Sequence, residues 1–240
     1  MTQTKNGTIY LIPTTLGDSD LAAVIPKKIN NIIEDTQFYI VENSRTAGRY
    51  IRKLSAHKNI DEITFFELNK HTDTNLLSEF LKPVFSGNNI GIISEAGNPG
   101  IADPGGEIIK IAHQKNINVV PLVGPSSILL ALISSGLNGQ NFAFNGYLPI
   151  NQNERIKKLL FLETRSRTEK QSQIFMETPY RNMKLLDDIF KNCKPNTLLC
   201  IASDITLETE LIKTKPISEW KKQIPQLNKR PTIFIIQADL

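Results

Sequence analysis

Apolar residues arrive along this chain in short runs, separated by longer stretches in which polar and apolar positions alternate with a helical beat. The runs TIYLIP (8–13), FYIVE (38–42), ITFFEL (63–68), NIGIISE (89–95) and INVVPLV (117–123) are rich in β-formers and too short for helices, so they predict strands. Between them the pattern predicts helices near 19–33, 45–56, 73–86 and 104–115. Continuously apolar strands that alternate with helices imply an α/β domain whose sheet is largely parallel and buried.

Beyond residue 123 the beat is less regular. GPSSILLALISSGL (124–137) predicts a helix capped by Ser126 or Ser127 and stopped at Gly136. FAFNGYLP (142–149), QIFME (173–177), TLLCIAS (197–203) and TIFIIQ (232–237) predict strands. Residues 151–170 are charged and helical in pattern, and TPYRNMKLLDDIFKN (178–192) predicts a helix with Pro179 in its first turn. The expected fold class is α/β with two α/β domains, 1–123 and 124–240, joined by almost no linker.

Composition supports this picture without narrowing it. A chain of 240 residues that is 40% hydrophobic has enough apolar surface for one large or two small cores. No apolar run reaches the length of a membrane span, and the opening MTQTKNGTIYLIP lacks the apolar core of a signal peptide, so a soluble cytoplasmic protein is expected. Cys193 and Cys200 match neither a metal knuckle nor a redox CxxC and are expected as buried or partly buried thiols. His57, His71 and His113 are scattered, so no metal site is expected. The formal net charge of +4 sits in the second half, where Arg155, Lys157, Lys158, Arg165, Arg167 and Lys170 share one predicted helix. That cluster suits either a polyanion or a solvated helix face.

Two common nucleotide motifs are missing. There is no GxxxxGK[ST] phosphate loop, and the first strand is followed by TTLGDSD rather than GxGxxG, so ATPase and NAD-linked chemistry have no foothold. Glycine and proline concentrate instead after the fourth strand, in IISEAGNPGIADPGGEII (92–109). A tight loop at the C-terminal end of a parallel strand is where open α/β sheets bind ligands. Asp103 stands where it could cap the next helix. A rigid turn with no ligand fits the same residues.

Seven blocks, in order, carry a resemblance: LIPTTLGD (11–18), VENSRTAGRYI (41–51), SEAGNPGIADPG (94–105), VVPLVGPSS (119–127), FNGYLP (144–149), METPYR (176–181) and KRPTIFII (229–236). Together they resemble the tetrapyrrole methylase family of S-adenosyl-L-methionine (SAM) methyltransferases, within it the bacterial branch that methylates a ribose 2′-hydroxyl of small-subunit ribosomal RNA. The resemblance implies two α/β domains with SAM in a cleft between them and the Gly/Pro loop against the cofactor. Carried over, Glu95, Ala96, Gly97, Ile101, Ala102 and Asp103 would line the SAM site, with Pro13 at the methyl-donor end. Ser126 and Ser127 would reach it from the start of the second domain, and Tyr147, Met176, Glu177, Ala202 and Thr232 would close it. It also implies ribosomal RNA or the small ribosomal subunit as partner, and a homodimer. The chain departs from the branch at Glu95 for Asp, Asn98 for Thr, ENSR (42–45) for EDTR, PTTLGD (13–18) for PTPIGN and KRP (229–231) for KGE.

The activated methyl of a sulfonium needs alignment more than reactive side chains. A ribose hydroxyl does benefit from a general base, and Glu42, at a strand end, is the expected catalytic group. Asn43 would orient the acceptor and Arg45 would grip a phosphate or carboxylate. Plainer roles remain open: an exposed Glu42–Arg45 ion pair, Ser126 and Ser127 as caps, Met176 as core. So do two other functions, a tetrapyrrole C-methyltransferase and a non-catalytic SAM- or RNA-binding relative.

Overall fold

A computed structural model of the chain describes residues 6–69 and 72–238; the first five residues and His71 lie outside them. The chain divides into two compact units, Met1–Ser126 and Ser127–Leu240.

The first unit runs β1 (Thr8–Ile12), α1 (Leu21–Val24), α2 (Lys28–Asp35), β2 (Phe38–Val41), α3 (Ser44–Leu54), β3 (Thr64–Glu67), α4 (Leu77–Phe80), α5 (Lys82–Phe85), β4 (Ile90–Ile93), α6 (Gly105–Gln114) and β5 (Asn118–Pro121). Its five strands form one sheet in the order β3-β2-β4-β1-β5, with every pairing parallel. All four residues of β4 are buried, which is why that run is apolar without alternation. One core packs Ile9, Ile40, Ile90, Ile92 and Ile108 and another packs Ile12, Ile33, Tyr39, Ile51 and Ile93. Consecutive strand residues, such as Ile92 and Ile93, thus enter different cores, as a two-residue repeat requires.

Two helical stretches expected to be continuous are broken. The 19–33 stretch splits because Pro26 forces Ile25 into an extended conformation (φ −116°, ψ 120°), ending α1 after one turn. Asp20 caps that turn, accepting from the Ala22 N–H at 3.0 Å. The 73–86 stretch becomes a 3-10 turn and two short helices, with Pro83 inside the second.

The second unit runs α7 (Ser127–Ser135), β6 (Phe142–Tyr147), α8 (Gln152–Glu169), β7 (Ser172–Glu177), α9 (Asn182–Asn192), β8 (Leu198–Ser203), β9 (Leu211–Pro216), α10 (Ile217–Trp220) and β10 (Thr232–Gln237). The sheet order is β6-β7-β10-β8-β9; β6 pairs parallel with β7 and the other three pairings are antiparallel. Helix α7 stops where Gly136 turns left-handed (φ 70°). Pro179 lies ahead of α9 rather than in its first turn, because the Glu177 carboxylate holds Thr178 and Arg181 in a tight bend before the helix starts. Strand β9 was not expected: LIKTKP carries two lysines and ends in proline, and as an edge strand it needs little apolar character.

The core of this unit stacks Phe175 on Phe234 at 6.0 Å and includes Trp220, whose indole N–H donates to the Leu199 carbonyl at 2.8 Å. Cys193 and Cys200 are buried free thiols, and burial pushes the Cys193 thiol up to about 12. The expected basic cluster on α8 is partly dismantled. Arg155 is 1% exposed and bonded to Asp188 at 2.6 and 2.8 Å and to the carbonyls of Pro149 and Ile150, while Arg165 pairs with Glu169. Arg155 is therefore a structural cation closed to a phosphate. Among the described residues no helix is long and apolar enough to cross a membrane.

Candidate active site

The loop between β4 and α6 turns left-handed three times in six residues, at Gly97 (φ 72°), Gly100 (φ 91°) and Ala102 (φ 61°). Glycine suits 100 by the sign of φ; a Cβ there would lie 2.9 Å from the Ile109 Cδ1, the movable end of a side chain. Ala102 has no such licence, and its conformation costs about 1–2 kcal/mol. Asp103 holds the loop in this shape. One carboxylate oxygen accepts from the Gly100 N–H and the other from the Gly105 N–H, each at 2.7 Å, so one side chain braces the loop and caps α6. Ile101 and Ala102 are left exposed at the loop's crest, as are Glu95 and Ala96 at its start.

Neighbouring strand ends are tied to this loop. The Thr14 N–H donates to the Gly97 carbonyl at 2.8 Å, and Pro13 presses on the backbone of Gly124, where a Cβ would lie 2.1 Å from the proline ring. Pro13 itself is buried, and its carbonyl accepts from the Tyr50 hydroxyl at 2.6 Å. Ser126 follows, half-buried, just before α7. A cavity of about 350 Å³ opens here, lined by Asn98, Pro99, Ile101, Val123 and Gly124 among others.

Glu42 follows β2 and is half-buried. Its carboxylate accepts from the Glu95 N–H at 3.2 Å, which links the ends of β2 and β4. Burial raises its pKa above the ordinary carboxylate value, the Glu95 N–H opposes that, and the carboxylates of Asp103 and Glu95 push it further up. Three acids thus converge, and among the described residues no ion pair neutralises Glu42 or joins it to Arg45. Asn43 is the N-cap of α3: its side-chain oxygen accepts from the N–H groups of Arg45 and Thr46 at 3.0 and 3.2 Å. Arg45 points from the exposed side of that helix. Sequence reasoning missed Thr46, whose hydroxyl donates to Glu95 at 2.5 Å, and Tyr50, one turn further on. Their i, i+4 spacing, starting three residues after the cap, was the available signal.

In the second unit, Tyr147, Met176, Glu177, Ala202 and Thr232 line up across one end of the sheet. Tyr147 pairs with Met176, Met176 with Ile233, Ile233 with Ala202, and Thr232 with both Glu177 and Ser203. Tyr147 is 55% exposed, while Ala202, Glu177 and Thr232 are buried. Glu177 is neutralised by Arg181 at 2.6 Å, and the Thr232 hydroxyl bonds to Ser203 at 3.1 Å. Ser127 opens α7, half-buried. At the KRP departure, Arg230 pairs with Asp204 at 2.7 Å and so anchors the turn after β8 to the start of β10.

These arrangements have counterparts among known proteins. The chain is 32% identical, over 96% of its length and 77% of the relative's, to Ribosomal RNA small subunit methyltransferase I of Vibrio cholerae. It belongs to that family. Ribosomal RNA small subunit methyltransferase I of Buchnera aphidicola (subsp. Schizaphis graminum) is 30% identical over 97% of this chain and 78% of the relative, and that of Escherichia coli O157:H7 is 26% identical over 98% and 79%. The ribosomal RNA small subunit methyltransferase I family is a branch of the tetrapyrrole methylases. Their fold is found here: the chain is similar to solved structures of the methyltransferase CobJ (TM-score 0.62, 13% identity, 97% of this chain and 94% of that one) and of diphthine synthase (0.67, 12%, 96% and 89%). No family model matches.

Proposed function

We propose that this protein is a SAM-dependent methyltransferase that methylates a ribose 2′-hydroxyl of small-subunit ribosomal RNA. The observation that carries the reading is the similarity over nearly the whole chain to proteins named for that reaction. The fold alone would not choose a substrate, since the solved structures that share it carry different names.

The chemistry of the first unit fits a cationic methyl donor. Glu42, Glu95 and Asp103 leave uncompensated negative charge where three loops meet, and beside it the β4–α6 loop, exposed at residues 95–96 and 101–102, is braced by Asp103. Bound there, SAM supplies a methyl group already activated on sulfur. Residues 95–97, Ile101, Ala102 and Asp103 hold it with Pro13, Ser126 and Ser127. Tyr147, Met176, Glu177, Ala202 and Thr232 complete the set.

Glu42 accepts the proton of the acceptor hydroxyl. A base held above the ordinary carboxylate range is stronger, which favours that transfer near neutral pH. Arg45, exposed on α3, takes a phosphate of the acceptor strand. Asn43 acts at one remove: as the cap of α3 it fixes the helix on which Arg45 and Thr46 stand.

The ENSR departure preserves this device, because asparagine caps as well as aspartate does. A homodimer belongs to the same reading, supported by Ile150, Leu160 and Phe161, which are exposed apolar side chains of the second unit; sedimentation of the purified chain tests it. For the activity, SAM at about 100 times its dissociation constant adds roughly 2.7 kcal/mol to stability. The expected result is a raised melting temperature with SAM but not with ATP or NAD, and transfer of labelled methyl to small ribosomal subunits. No transfer to subunits or their RNA defeats the proposal.

A further inference from the structure

Helix α3 presents two faces of opposite chemistry. Ala47, Gly48, Ile51 and Leu54 are buried, while Arg45, Arg49, Arg52 and Lys53 are exposed. At about 100° per residue the four cations fall within an arc of roughly 100°, on the side away from the core. They extend about 12 Å along the helix, enough to meet successive phosphates of one strand. Arg45, Arg49 and Arg52 take part in no ion pair among the described residues. Lys53 meets Asp18 at 3.5 Å, but both are largely exposed, so that pair is weak.

Beside this stripe lies a cavity of about 240 Å³, lined by Thr14, Thr15, Thr46, Arg49, Tyr50 and Lys53 with Glu95 and others. The helix positions 46, 49, 50 and 53 form one flank of α3, adjacent to the cations. The cavity shares no lining residue with the one at Ile101 and Gly124. It has an aromatic wall in Tyr50, hydroxyls at Thr14, Thr15 and Thr46, and a rim of two cations. Glu95, on that rim, gives its N–H to the Glu42 carboxylate. The cavity is therefore one hydrogen bond away from the proposed base.

We propose that this flank of α3 binds the acceptor as single-stranded RNA. One nucleoside, turned out of the strand, occupies the 240 Å³ cavity. Arg45, Arg49, Arg52 and Lys53 hold the phosphates on either side of it. Sequence-specific RNA recognition targets single-stranded segments whose unstacked bases lie against aromatic and hydrogen-bonding walls, which is what this cavity offers. The inference rests on the proposed reaction and names where its substrate lies. It also moves the phosphate contacts from α8, where Arg155 and Arg165 are already paired, to α3.

The test measures binding of a fluorescently labelled single-stranded oligoribonucleotide over a salt series, and methyl transfer to small ribosomal subunits. Each phosphate left without its cation flattens the slope of log K against log salt by about 0.7. Arg49→Gln with Arg52→Gln is expected to flatten it by about 1.4 and to lower kcat/KM for subunits, with the SAM-induced rise in melting temperature unchanged. Lys157→Gln with Lys158→Gln, an equal change of charge on α8, is expected to leave the slope as it was. Thr15→Phe, which fills the cavity, is expected to lower kcat/KM at least tenfold with the salt slope intact. A wild-type slope in the α3 variant, or an equal loss in the α8 variant, overturns the inference while methylation by the unaltered protein keeps the function standing. If the unaltered protein neither binds RNA nor methylates subunits, both fall.

Discussion

Glu42 and Glu177 sit in matching places, each at the C-terminal end of a strand, one in each unit. Their surroundings differ. Glu177, 4% exposed, lies against the Arg181 guanidinium and accepts the Thr178 N–H. Glu42 is half-buried, meets one backbone N–H, and faces two further carboxylates. A neutralised carboxylate holds structure. An uncompensated one destabilises the fold and is kept where it can act. Residue type and position along a strand do not separate the two; the neighbouring charges do.

The comparison is broken most sharply at Glu42. Glu42→Gln keeps the shape and the hydrogen bond but removes the base, so turnover should fall about 10²–10⁴-fold with SAM affinity unchanged. Single-turnover methyl transfer measures this, and unaltered turnover would leave Glu42 no catalytic part. The same substitution at the other site should act on stability instead. Removing the partner there, as in Arg181→Ala, leaves a buried charge uncompensated and should cost about 3 kcal/mol, read as a lower denaturant midpoint.

A pH series sharpens the contrast. The folded-state pKa of Glu42 is raised above its ordinary 4.5, so the folded protein binds the proton more tightly than the unfolded chain. Its destabilising contribution is therefore absent below that value and grows as pH rises through the folded-state pKa. Glu42→Gln should match the unaltered protein in acid and be the more stable of the two at neutral pH, by chemical denaturation. The rate should rise over the same window, since the base must be ionised. The smallest effect belongs to Asn43→Ala, which removes a helix cap and should cost about 1 kcal/mol, with a modest loss of turnover through the displacement of α3.

The parallel sheet was legible because its central strands β4 and β2 are buried and apolar and the edge strands β3 and β5, exposed at both ends, still carry an apolar pair, Phe65-Phe66 and Val119-Val120. Strand β9 was not, because an edge strand can be as polar as a loop. Pro26 and Pro83 were visible, yet the apolar periodicity around them suggested longer helices than a proline permits. In the site, Asp103 was readable as a cap from its place before Pro-Gly-Gly, and the structure adds that it braces Gly100 as well. The raised pKa of Glu42 was not readable, since its main cause is burial in the folded chain, and the Asp103 and Glu95 carboxylates that add to it come from β4 and its loop, far along the chain. Nor did charge pattern tell Arg155 from Arg49: both lie on basic helices, and only the fold shows one sealed against Asp188 and the other open to solvent.

The sealed pair has a consequence for temperature. Arg155 and Asp188 join α8 to α9, with side chains 2% and 1% exposed, so their attraction is set against the loss of two hydration shells. Hydration of ions becomes less favourable as water warms, and the penalty for stripping it shrinks accordingly. Apolar packing around Phe175 and Phe234 gains no comparable advantage from heat. The second unit thus carries one bond between helices that holds relatively better in a warm cell than in a cold one.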